Sequence, residues 1–200
     1  MPTCPLSKLT RVLEGNPVVA RTRGAQRVRI GSVAAIALAA AFVTWLFVRP
    51  NSDATPAPQR ANAPKLASVA EVRWIAAKLR YPVYWAAPRR GMRYELTEAG
   101  SRTYVRYLPR SVRAGDPRPR FLTVGTYAGS RAFARTRAAG QRHGAVTLRL
   151  GAGGIAVYSR AHPTSVYFAY PGAGVQVEVY DPDAQVALAL VLRHRVVPIG

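Results

Sequence analysis

The chain has 200 residues, with 29 Lys and Arg against 9 Asp and Glu, a formal net charge of +20. Its one cysteine, Cys4, excludes a disulfide framework, a thiol redox pair and a cysteine zinc set, so the thiol is read as inert. A balance this basic points to anionic partners, and the distribution along the chain narrows which.

Residues 1–29 are rich in Pro, Gly, Thr and Arg and have little periodicity, as expected of a disordered tail. Ile30 to Val48 reads IGSVAAIALAAAFVTWLFV, nineteen residues without a charge. A helix of that length reaches about 28 Å, close to the hydrocarbon thickness of a bilayer. Trp45 falls near one end, where aromatic belts lie. No polar face interrupts the run, which argues against a buried helix of a soluble domain. The sequence therefore predicts a single transmembrane helix over 30–48.

Its direction follows from the flanks. Residues 1–30 carry six basic residues (Lys8, Arg11, Arg21, Arg23, Arg27, Arg29) against Glu14. Residues 49–66 carry Arg49, Arg60 and Lys65 against Asp53. Basic residues near a span stay on the cytoplasmic side, so residues 1–29 are expected to be a cytoplasmic tail and the rest to lie outside the plasma membrane. A cleaved signal peptide is the competing reading. Ala39-Ala40-Ala41 offers a cleavage site, but cleavage there would leave an apolar start, Phe42–Val48, and the leader is long. No Cys follows the run to take a lipid, and Arg27-Val28-Arg29 is not a consecutive arginine pair. Gly31, Ala35 and Ala39 share a helix face and would let two spans approach.

Residues 49–66 form a Pro/Ala-rich linker of extended, semi-stiff character. The domain is expected over 67–200. Ser68 and Glu71 match a capping box, and Val69, Val72, Ile75, Ala76 and Leu79 make one apolar face. The helix stops before Tyr81-Pro82, and Val83–Trp85 begins a strand. Arg93–Thr97 and Thr103–Leu108 read as a hairpin across Glu98–Ser101. Pro109–Pro119, with three prolines and three arginines, reads as the longest exposed loop. Phe121–Tyr127 is a strand, and Ser130 is placed to cap a helix over Ala132–Arg142. Ala145–Leu150 and Ile155–Ser159 are strands around a glycine turn. Val166–Tyr170 and Val175–Tyr180 form a hairpin. Asp181-Pro182 is placed to start a helix continuing through Ala184–Leu192, and Val196–Ile199 closes as a short strand. The sum is an α+β domain with about three helices and about eight strands in a mostly antiparallel sheet. Leu122–Leu150 and Val175–Ile199 share the order strand, cap, helix, basic pair, strand, which raises a duplicated unit as an option.

No catalytic motif stands out. His143, His162 and His194 lack metal-ligand spacing, and Gly151–Gly154 lacks the Lys-Ser/Thr of a phosphate loop. Of the domain's acids only Glu95 and Glu178 fall on strands, and alternation points both away from the core, so no acid–base pair is expected. Metal and cofactor sites are expected to be none. The tyrosines suit a half-buried sheet surface. The sharper option is an anionic or sugar ligand surface made of Arg93, Arg102, Tyr104, Arg106 and Tyr107. From Leu66 onward 20 basic residues face 7 acidic ones, scattered rather than in a block. With the domain outside, that favours anionic lipid or an anionic wall polymer over nucleic acid.

Four segments, Tyr81–Trp85, Tyr104–Pro109, Thr164–Gly172 and Gln176–Pro182, resemble uncharacterised single-span membrane proteins of high-GC bacteria. The likeness covers roughly residues 68–200 and implies no activity and no functional residues. The expectation is a non-enzymatic, membrane-anchored, extracytoplasmic binding or sensing domain of the envelope. The alternatives are an envelope hydrolase or transferase with a site the motifs do not show, and an accessory subunit docking on a membrane protein partner.

Overall fold

The computed structural model describes residues 61–199. The expected tail and span, and most of the linker, lie outside these residues. Among the described residues no helix is long and apolar enough to cross a membrane.

Eight strands form one antiparallel sheet: β1 (Lys65–Ala67), β3 (Met92–Ala99), β4 (Arg102–Pro109), β5 (Thr123–Ala128), β6 (Ala145–Arg149), β7 (Ile155–Ser159), β8 (His162–Ala169) and β9 (Val175–Tyr180). Their spatial order is β1-β3-β4-β5-β9-β8-β7-β6. A separate ribbon pairs β2 (Tyr84–Trp85) with β10 (Val197–Pro198). Three helices complete the domain: α1 (Val69–Lys78), α2 (Ala132–Ala139) and α3 (Ala184–Leu192). The domain is thus a mixed α+β fold with a mostly antiparallel sheet, as the sequence predicts. The described residues hold ten strands against the expected number of about eight: β1, which starts inside the expected linker, is the one no sequence signal marked, and β2 and β10 form their own ribbon.

Alternation along paired strands divides the sheet into two faces. The first face carries Tyr94, Leu96, Val105, Tyr107, Val124, Val166, Phe168, Val177 and Val179, which pack with Val72, Ile75 and Ala76 of α1 and Ala187, Leu190 and Val191 of α3. Full burial of each such aliphatic side chain is worth about 1.5–3 kcal/mol, so this layer is the main source of stability. The second face carries Glu95, Thr97, Tyr104, Arg106, Tyr127, Ser165, Tyr167, Gln176 and Glu178. It is covered too: α2 lies over β7–β9, and the 110–122 segment lies over β3 and β4. A polar alternation therefore marks a second interior here, not solvent.

Helix starts follow local chemistry. Ser68 Oγ accepts from Glu71 N–H at 3.2 Å, and Glu71 Oε2 accepts from Ser68 N–H at 2.7 Å, completing the expected capping box of α1. Ser68→Ala is expected to lower stability by about 1 kcal/mol, read as a reduced urea midpoint at unchanged slope. The other two starts differ from expectation. Ser130 does not cap α2: Arg131 holds the cap position without a side-chain bond, and the helix ends at Ala139, where Gly140 follows. Asp183, rather than Asp181, caps α3 by accepting from Gln185 N–H at 2.8 Å. Asp181 instead accepts from Asp183 N–H at 2.9 Å, a turn that places the cap two residues later.

The duplicated unit is not present in space. β5 and β9 are antiparallel neighbours, and a rotation exchanging them would keep their helices on one face. α2 and α3 cover opposite faces. β6 ends the main sheet, whereas β10 belongs to the ribbon.

Candidate functional site

The second face holds two polar constellations, one at each end of the β3–β9 region. The first is a clamp. Glu95 is buried, and its Oε1 accepts from Arg106 Nη1 at 2.6 Å while its Oε2 accepts from Gly115 N–H at 2.5 Å. Arg106 Nη2 donates onward to the carbonyls of Asp116 at 2.9 Å and Arg118 at 3.3 Å, and the guanidinium lies over Phe121, 5.4 Å from the ring centroid. Arg93 Nη2 donates to Val112 O at 2.5 Å, and Tyr180 Oη donates to Pro119 O at 2.5 Å. Four side chains from three strands thus hold the backbone of one loop at five points. Glu95 and Arg106 are direct cross-strand partners, so the pairing register itself brings the charges together.

The second constellation centres on Glu178. Its Oε2 accepts from Tyr127 Oη, and its Oε1 accepts from Ser165 Oγ at 2.9 Å and Tyr167 Oη at 2.7 Å. Gly125 stands opposite Glu178 in the register, and a Cβ there would meet Tyr127 Oη at 3.0 Å. The missing side chain lets the Tyr127 ring lean across the carboxyl. Tyr104 packs edge-on against Tyr127, with centroids 5.8 Å apart. Burial pushes the Glu178 carboxyl above its ordinary range, and the three hydroxyl donors pull the other way. Burial, then the Glu178 charge, pushes the Tyr127 and Tyr167 hydroxyls well up. Nearby, Gln176 Nε2 donates to Thr136 Oγ1 at 2.8 Å and ties α2 to β9.

These positions rearrange the expected ligand surface. Arg93, Arg102, Tyr104 and Arg106 do share the second face. Arg93 and Arg106 point their guanidinium groups into loop carbonyls and Glu95, and Tyr104 is buried. Arg102 is half-buried beside Tyr104, whose hydroxyl burial pushes up while Tyr127 and Arg102 oppose the shift. The structure does not bring Tyr107 to the others. Its ring faces the opposite layer, and its hydroxyl accepts from Ala86 N–H at 2.7 Å and donates to Ala87 O at 3.2 Å. The expectation that Glu95 and Glu178 point away from the interior is corrected. Both are buried, because α2 and the loop form a second covering layer. Tyr104, Tyr127 and Tyr167 were the available sign, since large aromatics at the polar parity of three strands call for a cover.

Among the described residues no group of His, Cys, Asp and Glu is arranged to hold a metal ion. A cleft of about 110 Å³ lies between α3 and β8, lined by Tyr158, Pro163, Val166, Ala184, Gln185 and Leu188. Its walls are mostly apolar and do not include either buried carboxyl. The fold as a whole sorts charge. Glu95, Glu178 and Asp181 are buried, while Arg110, Arg113, Arg118, Arg120, Arg131 and Arg137 are exposed. The surface is therefore more cationic than the composition alone implies. No family model, curated protein or solved structure matches the chain.

Proposed function

We propose that the protein is anchored in the plasma membrane by a single span over 30–48 and presents its α+β domain outside as a binding module of the envelope, without catalysis. The observation that carries this reading is the uncharged nineteen-residue run with its arginine-rich leading flank. The fold supports the binding half. Glu95 is engaged by Arg106 and a loop amide, and Glu178 by three hydroxyls, so both buried strand carboxyls serve the interior. The surplus of arginine meanwhile faces solvent.

An epitope tag joined after Gly200 tests the topology. Protease added to intact cells is expected to remove the tag, and alkaline carbonate is expected to leave the protein in the membrane pellet. A tag that survives on intact cells and disappears only after lysis overturns the outside placement. Release into the carbonate supernatant overturns the anchor.

A further inference from the structure

We propose that the loop from Arg110 to Arg120 is a preformed binding element for a linear, phosphate-bearing polyanion. Arg110, Arg113, Arg118 and Arg120 are all exposed within eleven residues. No ion pair involves Arg110, Arg113 or Arg120 among the described residues, and Arg118 keeps 51% of its side chain accessible beside Asp116. Guanidinium forks match phosphate oxygens in pairs, which ammonium groups cannot do.

The loop is held in place before any ligand arrives. Its carbonyls at Val112, Asp116, Arg118 and Pro119 and its amide at Gly115 are bound by Arg93, Arg106, Tyr180 and Glu95. Pro117 and Pro119 stiffen it further. Binding then orders only arginine side chains and no backbone, so less of the contact energy is lost to entropy. This division of labour explains why arginines that look like ligand contacts in the sequence point inward: Arg93 and Arg106 position the loop, and its outer arginines meet the ligand. α2 covers part of the same face and exposes Arg131 and Arg137, which extend the positive field.

The loop's makeup favours a polymer over a bilayer. Among the described residues the exposed large apolar ones are Leu66, Trp74, Met92, Leu192 and Val197, and none lies between 110 and 120. A lipid-inserting element needs such a wedge. The inference rests on the reading of this domain as a binding module, but its measurement is independent of topology. A tag found on the inner side removes the outside placement and leaves the binding result intact.

The test uses the full chain in nanodiscs of uncharged phosphatidylcholine, titrated with linear polyphosphate at two salt concentrations. Arg110→Ala/Arg113→Ala/Arg120→Ala is expected to weaken binding by about tenfold or more, with a shallower salt dependence. The control Arg73→Ala/Lys78→Ala/Arg80→Ala, which removes equal charge around α1, is expected to cost less than about threefold. Glu95→Gln raises the net charge yet is expected to weaken binding, because the Gly115 and Arg106 anchors loosen. If Glu95→Gln does not fold, Tyr180→Phe, which frees only the Pro119 anchor, takes its place with the same expected direction. Equal losses from the two triple variants overturn the proposal in favour of diffuse charge. Unchanged or tighter binding by the folded unclamped variant overturns the preformed loop. Phosphatidylglycerol vesicles that displace polyphosphate at lower phosphate concentration, and only when the loop arginines are present, overturn the polymer assignment in favour of a bilayer.

Discussion

Arg106→Met is expected to destabilise the domain by roughly 3–5 kcal/mol, the cost of leaving a buried charge without its partner. Glu95 has no accessible side-chain surface, and Arg106 has 11%. With the guanidinium gone, the carboxylate keeps only the Gly115 amide, the Asp116 carbonyl loses its donor, and the Arg118 carbonyl keeps only the Arg120 N–H at 2.9 Å. The two kinds of loss differ in weight. The loop carbonyls sit near the surface and can turn to water, whereas Glu95 cannot. The double variant Glu95→Met/Arg106→Met should therefore be more stable than Arg106→Met alone, even though it removes more native contacts. Urea unfolding of both single variants and the double variant gives the coupling directly. A double variant no more stable than Arg106→Met would mean that the stranded carboxylate is not what makes the single change costly. Limited proteolysis at Arg110, Arg113 and Arg120 supplies a local readout. Cleavage should accelerate in Arg106→Met under conditions where the rest of the domain remains folded.

The clamp also shows why the fold was legible in the sequence and its second interior was not. Periodicity and end signals belong to neighbouring residues, so the capping box of α1, the β8–β9 hairpin and the α+β class could be read locally. The same rules place Glu95 opposite Tyr94 and Leu96 and Glu178 opposite Val177 and Val179, and there local reasoning ends. Whether that opposite face meets water depends on where α2 and a proline-rich loop settle, which is set by pairing between segments far apart in sequence. Arg106 meets Glu95 across a tight hairpin, yet its other partners, Asp116 and Arg118, belong to a loop with no period to read. Tyr127 and Glu178 are 51 positions apart. The start of α3 was misplaced for a nearer reason. Asp181 and Asp183 are both competent caps, and an Asx turn at the first decides that the second is used.

Glu178→Ala is expected to cost about 3 kcal/mol or more, because it removes the one carboxyl to which the hydroxyls of Tyr127, Tyr167 and Ser165 all donate inside a closed layer. Glu178→Gln separates charge from shape. The amide keeps one acceptor oxygen and presents an NH₂ toward a second hydroxyl, which must turn to accept. The pH dependence has a definite sign. Burial raises the carboxyl above 4.5 in the folded state, so folding takes up a proton between 4.5 and the raised value. Below 4.5 the group is neutral in both states and costs nothing. As pH rises through that window the folded state must either keep its proton or carry a buried charge, and stability from this residue falls. The melting temperature of the natural chain relative to Glu178→Gln should therefore be more favourable at pH 4.5 than at pH 7.5. Subtracting the two profiles cancels the general destabilisation that acid brings to so cationic a chain. Tyr127→Phe and Tyr167→Phe should show the complementary trend. Each removes a donor to the ionised form, a bond worth roughly 1.5–3 kcal/mol, so each should cost more at pH 7.5 than at pH 4.5. Parallel profiles for the natural chain and Glu178→Gln would mean that the three hydroxyls stabilise the carboxylate as fully as water does, and that burial leaves its proton affinity unchanged.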